Sequence, residues 1–316
     1  RLDMGVITAG VAVTGFVNAL LSDTDVDTAL GTFVTQVMTG ALADPGVQQV
    51  VSQTVAGAVT GFIGDGPLGQ AVGAQVGAAA AALVGNPAVS GAVATLVDSV
   101  FGGLLAATGV EPALADAAGG LVSAVLGGTP LTTALSDALT ALGANPDVDA
   151  AVGPVVTAAV AAFLGDTSLR PAVDTAASSL VTGLIGSPTV QQALNTEVAG
   201  AVSTLLGGGD LGTTVGAKVG AAVVALVTNP TVSSALVDLV DTVVGGFIGG
   251  TGVVTALSDA AGQLATAAVE GNLSTVEPAV VAALRANADI KAALQASVGA
   301  AVTQFLGASG IGPVVD

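Results

Sequence analysis

The side chains that could carry chemistry in this chain are almost all carboxylates. Its 316 residues include 23 Asp and Glu, only 5 Lys and Arg, and neither His nor Cys. The chain therefore lacks the commonest general base, the usual transition-metal ligands, the thiol nucleophile and every disulfide. A net charge of -18 excludes ordinary nucleic-acid binding, which needs a cationic surface. We expect a protein that is not an enzyme and that has no catalytic residue, no cofactor and no metal; acid–base work by paired carboxylates is a distant alternative.

Three segments match ligand-binding motifs only in part. Residues 64–69 and 207–212 both fit Gly-x-Gly-x-x-Gly, but a nucleotide-binding fingerprint follows a strand, and both segments are expected to follow a helix. Asp23, Asp25 and Asp27 begin like a calcium loop, but Thr28 and Val34 stand where that loop needs Gly and Glu. We interpret all three segments as turns.

Five acidic residues are the candidate functional residues, because each is expected to lie inside a helix whose other face is rich in Val and Leu. They are Asp98, Asp116, Asp238, Asp241 and Asp259. Asp238 and Asp241 are three residues apart and therefore share one helical face. Two interpretations stay open: the acids form the solvent-exposed face of surface helices, or they line a water-filled space or a junction between subunits.

The elements that must position these acids form an internal repeat. The motif Asn-Pro-x-Val, or a close variant, recurs at 44–47, 86–89, 145–148, 187–190 and 229–232, with a more degenerate copy at 287–290. A shift of 143 residues aligns 86–128 with 229–271 at 23 of 43 identical positions, and it makes Asp98 equivalent to Asp241 and Asp116 to Asp259. We predict a first copy over 1–143, a second over 144–286 and a partial third over 287–316, within one continuous helical-repeat domain.

Apolar side chains recur every three or four residues, which is typical of amphipathic α-helices. In 47–63 the valines form one stripe, and Gln49, Ser52, Gln53 and Thr60 form the opposite face. The recurring Asn and Pro predict an N-cap and the first helical residue; these pairs are Asn86 with Pro87, Asn145 with Pro146, and Asn229 with Pro230. The sequence predicts an all-α chain of about fifteen short amphipathic helices, antiparallel to their neighbours because the turns are short.

The balance of apolar and polar residues suits neither a soluble solenoid nor an ordinary membrane bundle. The chain is 52% hydrophobic and 9% charged, with a mean hydropathy of +0.87, so its apolar faces need a partner or a membrane. The segment 47–63 is too polar for a standard spanning helix, and no aromatic belt or cationic loop marks an orientation. Helices that turn Ala, Val and Leu toward lipid, and Asp, Thr, Gln and Ser toward a lumen, satisfy both observations.

The Ala, Val, Gly and Asp bias, the scarcity of Lys, the Asn-Pro-x-Val helical pairs and the Gly-Asp turns resemble those of exported α-helical proteins of the mycobacterial envelope that form tunnels in the outer mycomembrane. The resemblance covers the whole chain and implies a homo-oligomer, for example a trimer, in contact with membrane lipid and surrounding a passage.

We therefore expect a non-enzymatic outer-envelope protein that forms a water-filled tunnel or a scaffold. The alternative is a secreted helical-repeat protein that binds lipid or a protein partner in an apolar groove. The chain begins at Arg1 and not at Met; removal of an export signal and an artificial truncation both remain open.

Overall fold

The computed structural model describes residues 24–250 and 252–307, and every regular element in these ranges is helical. The predicted all-α fold is therefore confirmed. Fourteen α-helices lie in the described part of the chain; the beginning of the chain, including Asp23, falls outside it. The helices are α1 (Thr24–Ala43), α2 (Pro45–Ile63), α3 (Pro67–Val84), α4 (Pro87–Leu105), α5 (Val110–Leu126), α6 (Leu131–Gly143), α7 (Pro146–Leu164), α8 (Arg170–Gly186), α9 (Pro188–Leu205), α10 (Gly209–Val227), α11 (Pro230–Ile248), α12 (Val253–Val269), α13 (Leu273–Ala286) and α14 (Ala288–Gly307), with a 3₁₀ turn at Thr167–Leu169.

Polar side chains begin several helices at the recurring motif. The Oδ1 atom of Asn145 accepts hydrogen bonds from the amides of Asp147 at 2.9 Å and Val148 at 3.3 Å, and Pro146 is the first residue of α7. The same bond joins Asn86 to the amide of Ala88 at 2.9 Å and Asn229 to that of Thr231 at 3.0 Å, ahead of Pro87 and Pro230. Each side chain satisfies an amide that has no partner within the helix.

Two helical hairpins, α2/α3 and α9/α10, are packed through glycines. The buried residues of α3 are Gly69, Gly73 and Gly77, and those of α10 are Gly212, Gly216 and Gly220. A Cβ atom at Gly73 would lie 2.7 Å from the carbonyl oxygen of Ala56, and one at Gly220 would lie 2.6 Å from that of Asn195. The backbones therefore approach more closely than any side chain would allow, as in small-xxx-small packing, and Cα–H groups meet carbonyl oxygens directly.

These features recur along the chain at the spacing of the sequence repeat. Gly73 and Gly216 are 143 residues apart, as are the helix starts Pro45 and Pro188. The interval between the motif copies at 86–89 and 145–148 is longer than the others and holds an additional short helix, α6; its counterpart in the second copy is α13. The recurrence follows the register of the proposed duplication, which itself stays a prediction until the two copies are superposed.

Close contacts divide the chain into two compact units, and each unit draws helices from both sequence copies. The first unit contains α5, α6, α7, α12 and α13 with most of α1 and α4, and the second contains α2, α3, α8 to α11 and most of α14. A packing unit and a sequence copy are different divisions of a repeat protein. The copy boundaries after 143 and 286 therefore stay predictions.

The residues buried in the described part of the chain are small. Every buried hydrophobic residue there except Leu169 is Ala or Val, and the buried polar residues are serines. Several large apolar side chains lie outward: Leu205 is 85% exposed, Leu211 73% and Leu306 74%. A soluble domain buries its Leu, Ile and Phe first, so this arrangement is the reverse of a soluble core.

Candidate functional site

Five helices are long and apolar enough to cross a membrane, by length and composition: α3, α4, α7, α10 and α11. Only 17% of the residues in the apolar windows of the first four are buried, and only 11% in α11. Apolar helices of this length with so little of their surface covered indicate association with a membrane. Helix α2, whose Gln and Thr residues predict a segment too polar to span, is not among the five.

Asp241 lies at a contact between two helices of the second unit, α8 and α11. Its Oδ2 atom accepts a hydrogen bond from Ser178 Oγ at 3.3 Å, whereas its buried Oδ1 atom has no hydrogen-bond partner. The charged groups that act on Asp241 are the carboxylates of Asp174 and Asp238. A half-buried carboxylate with like-charged neighbours is costly to hold in a helix contact, which marks this contact as a candidate site.

The opposing face of α8 is polar along two turns. Arg170, Asp174 and Ser178 follow one another at intervals of four residues and so lie on one side of the helix. The guanidinium of Arg170 crosses α11 at Gly245, where a Cβ atom would lie 2.6 Å from one of its terminal nitrogens. Gly245 therefore makes room for the cation, and the acid-bearing side of α11 packs on α8.

Asp116 and Asp259, which are equivalent in the repeat, each line a groove of the first unit. Asp116 borders a groove of about 350 Å³ between α5 and α6, with Asp137 and small apolar residues. Asp259 borders a groove of about 470 Å³ where α12 meets α7 and α13. The second groove is more polar, and its polar lining residues are Thr157, Asp259, Gln263, Thr266 and Glu270. Equivalent positions of the two copies thus face differently polar surroundings.

The structure brings only part of the predicted set of acids together. Asp238 and Asp241 share one side of α11, while Asp98, the repeat equivalent of Asp241, is exposed on α4. Asp116 and Asp259 are exposed within their separate grooves. Sequence reasoning missed Arg170, Asp174 and Ser178, although their four-residue spacing and the rarity of cations in the chain are signals that could have found them.

The two Gly-x-Gly-x-x-Gly segments begin in turns, as predicted. The turn predicted for the calcium-like segment is wrong, because Asp25 and Asp27 lie inside helix α1, while Asp23 lies outside the described residues. Residues 64–66 connect α2 to α3, and residues 207–208 lie in the turn between α9 and α10, so each segment follows a helix and continues into the next one. Within the residues that the structure describes, no group of three His, Cys, Asp or Glu residues is placed to hold a metal ion.

Comparison of the chain with models of protein families, with curated proteins and with solved structures finds no match.

Proposed function

We propose that this protein is a non-enzymatic membrane protein of the outer envelope, in the manner of the mycomembrane proteins that its sequence resembles. In this proposal it is exported, and several copies assemble into a homo-oligomer, for example a trimer. The oligomer encloses a water-filled tunnel or forms a scaffold, with membrane lipid around it.

The reversed distribution of side chains is the observation that carries the proposal. Many Leu and Val side chains are exposed, whereas the buried residues are almost all Ala, Val and Gly, and five helices have the length and composition of membrane spans. In lipid, helices associate through small residues and polar contacts because the lipid is itself apolar. A single chain with this surface needs lipid or further copies to cover it.

The acids favour a hydrated assembly over a plain lipid-embedded bundle. An ionised Asp in the middle of a spanning helix costs about 2.5–3.5 kcal/mol on insertion scales. Asp98 and Asp238 are exposed on α4 and α11, two of the five apolar helices. We infer that these side chains point to water or to a subunit junction, which is where a lumen would place them.

A second candidate function has one specific observation in its favour. The α5/α6 groove is lined mainly by Ala, Gly and Leu, which suits an apolar ligand. A secreted repeat protein that binds lipid or a protein partner there would not need to span a membrane.

Extraction from the native envelope separates the two candidates. The proposed membrane protein should stay with the membrane after washing with high salt and carbonate, enter solution only with detergent, and then have the native mass of several chains. A monomer released without detergent would contradict the proposal and support the secreted binding protein.

A further inference from the structure

Helix α14 carries an uncovered apolar ridge. Leu294, Val298, Val302 and Leu306 follow one another at intervals of four residues, and they are 47%, 42%, 43% and 74% exposed. We call these four residues the α14 ridge. Helix α14 is not among the helices apolar enough to span a membrane, so contact with lipid across the bilayer does not account for it.

The repeat shows what kind of surface this ridge is. The alignment of Asn145 with Asn287 and of Asp147 with Asp289 makes Leu294 equivalent to Val152 of α7. Val152 is only 7% exposed and packs with Val110 and Ala113 of α5. The α14 ridge is therefore equivalent to a face of α7 that packs against the α5/α6 hairpin. In α14 the same face is exposed.

The α5/α6 hairpin has room for a second face of this type. Its groove of about 350 Å³ begins at Ala113 and Leu142, which also belong to or contact the core cluster around Val152. From there it continues between two rows of small residues: Ala117, Gly120 and Ala124 of α5, and Ala134, Ala138 and Ala141 of α6. From residue 113 to residue 124 the groove is about 16 Å long, and the ridge from residue 294 to residue 306 is about 18 Å long.

The charges of the two surfaces are complementary. Lys291, one of only 5 basic residues, lies three residues before Leu294, on the same side of α14 as the ridge, and it is exposed. The groove carries the exposed carboxylates Asp116 and Asp137. An ion pair between them would set the register of the contact and exclude other partners.

We infer that the α14 ridge of one chain docks in the α5/α6 groove of a second copy, with Lys291 beside Asp116 and Asp137. The contact joins two different surfaces, so it propagates head to tail and closes into a ring if the rotation between copies allows it. The inference rests on the proposed homo-oligomer and identifies its subunit interface.

Cysteine crosslinking of the full chain in detergent tests this interface, because the protein contains no Cys of its own. The doubly substituted protein, with Ala138→Cys in the groove and Val298→Cys in the ridge, should give a ladder of covalent multimers with a short bis-maleimide. Each single variant should stay monomeric on a denaturing gel. A matched control combines Val298→Cys with Leu211→Cys, since Leu211 is exposed on α10 outside the groove; it should give no ladder.

Three outcomes would overturn the inference. Dimers formed by Val298→Cys alone would show that two α14 ridges meet each other. A monomer of altered mobility from the double variant would show a contact within one chain. An oligomeric native mass without any ladder would refute this interface and leave the proposed function in place. The converse result, a ladder from a protein that does not conduct ions, would refute the tunnel and support the interface.

The ion pair provides a second test that does not depend on crosslinking. Lys291→Glu should weaken self-association on the order of tenfold, and adding Asp137→Lys should restore most of it. Lys218→Glu, the same change at an exposed residue of α10, should have no effect. Equal weakening by Lys218→Glu would contradict the assignment, because the effect would then follow net charge and not the contact.

Discussion

Glycine has opposite effects on stability at different residues of these helices. Within a helix, Gly is less favourable than Ala by roughly 0.5–1 kcal/mol because its backbone loses more freedom on folding. Gly57 and its repeat equivalent Gly200 have open space where a Cβ atom would go, whereas Gly73 and Gly216 lie against the backbone of the partner helix. The energetic role of each glycine is therefore set by its neighbour across the hairpin.

Gly73→Ala should lower the free energy of unfolding by about 1–3 kcal/mol, because the added methyl group overpacks the contact with Ala56. Gly57→Ala should raise the free energy of unfolding by about 0.5–1 kcal/mol, because Ala loses less backbone conformational entropy on folding than Gly does. Denaturant unfolding followed by circular dichroism measures both changes. Gly216→Ala and Gly200→Ala are the matched pair in the second hairpin, and a stabilising Gly216→Ala would contradict the close packing of α9 and α10.

The N-cap at Asn145 should contribute about 1 kcal/mol to stability. Asn145→Ala removes the acceptor for the amides of Asp147 and Val148 and should lower the free energy of unfolding by that amount. Asn145→Asp retains an acceptor and should behave like the unchanged protein. An Asn145→Ala variant as stable as the Asp variant would show that water satisfies these amides equally well.

At the scale of the helix, contacts are made by the faces that carry small and polar residues. Ser52 and Thr60 belong to the polar face of α2, yet this face packs on α3, with Thr60 Oγ1 donating a hydrogen bond to the Gly69 carbonyl at 3.3 Å. Helix α11 packs on α8 through Asp241 and Gly245 in the same way. In each case the neighbouring helix meets the face that a soluble protein would leave in water.

The sequence predicts the helices far better than the contacts between them. Helical period and the Asn145 cap act within a few residues, so they place both ends of α2 to within about two residues and the start of α7 at Pro146. The choice of packing face depends on which surface meets lipid or another chain, and the helical period of a single segment carries no information about that. For the same reason the contact of Ser178 with Asp241, which joins residues 63 apart, could not be read from local patterns.

Asp241→Asn should raise the free energy of unfolding, by a few tenths of a kcal/mol to about 1 kcal/mol. It removes first the cost of partly burying a charge, and then the like-charge repulsion with Asp174 and Asp238. Asp98→Asn is the matched control: the residue is equivalent in the repeat but exposed, and its substitution should change stability by less than about 0.5 kcal/mol. Equal effects of the two substitutions would show that the α8/α11 contact does not constrain Asp241.

At the scale of the whole molecule, a net charge of -18 on a chain with 5 cations makes the proposed lumen electronegative. The oligomer reconstituted in a planar bilayer should conduct cations in preference to anions. Combining Asp98→Asn with Asp238→Asn, the two exposed acids of apolar helices, should reduce that preference. Asp65→Asn with Asp210→Asn, the same charge change at exposed residues near a turn, should reduce it less. Anion preference in the unchanged protein, or no conductance at all, would leave only the scaffold and the apolar-groove alternatives.

The small interior also has a thermal consequence. The heat capacity of unfolding follows the apolar area withdrawn from water, and a globular chain of 316 residues would have an increment of roughly 4 kcal/mol/K. A chain whose fully buried side chains are almost all Ala and Val, with many leucines exposed, should have a clearly smaller increment in calorimetry and a correspondingly flat stability curve. Assembly within lipid should depend on temperature just as weakly, because subunits that meet in an apolar medium withdraw little further apolar area from water. The oligomer should therefore stay assembled on cooling, whereas one held together by burial of apolar surface from water would separate.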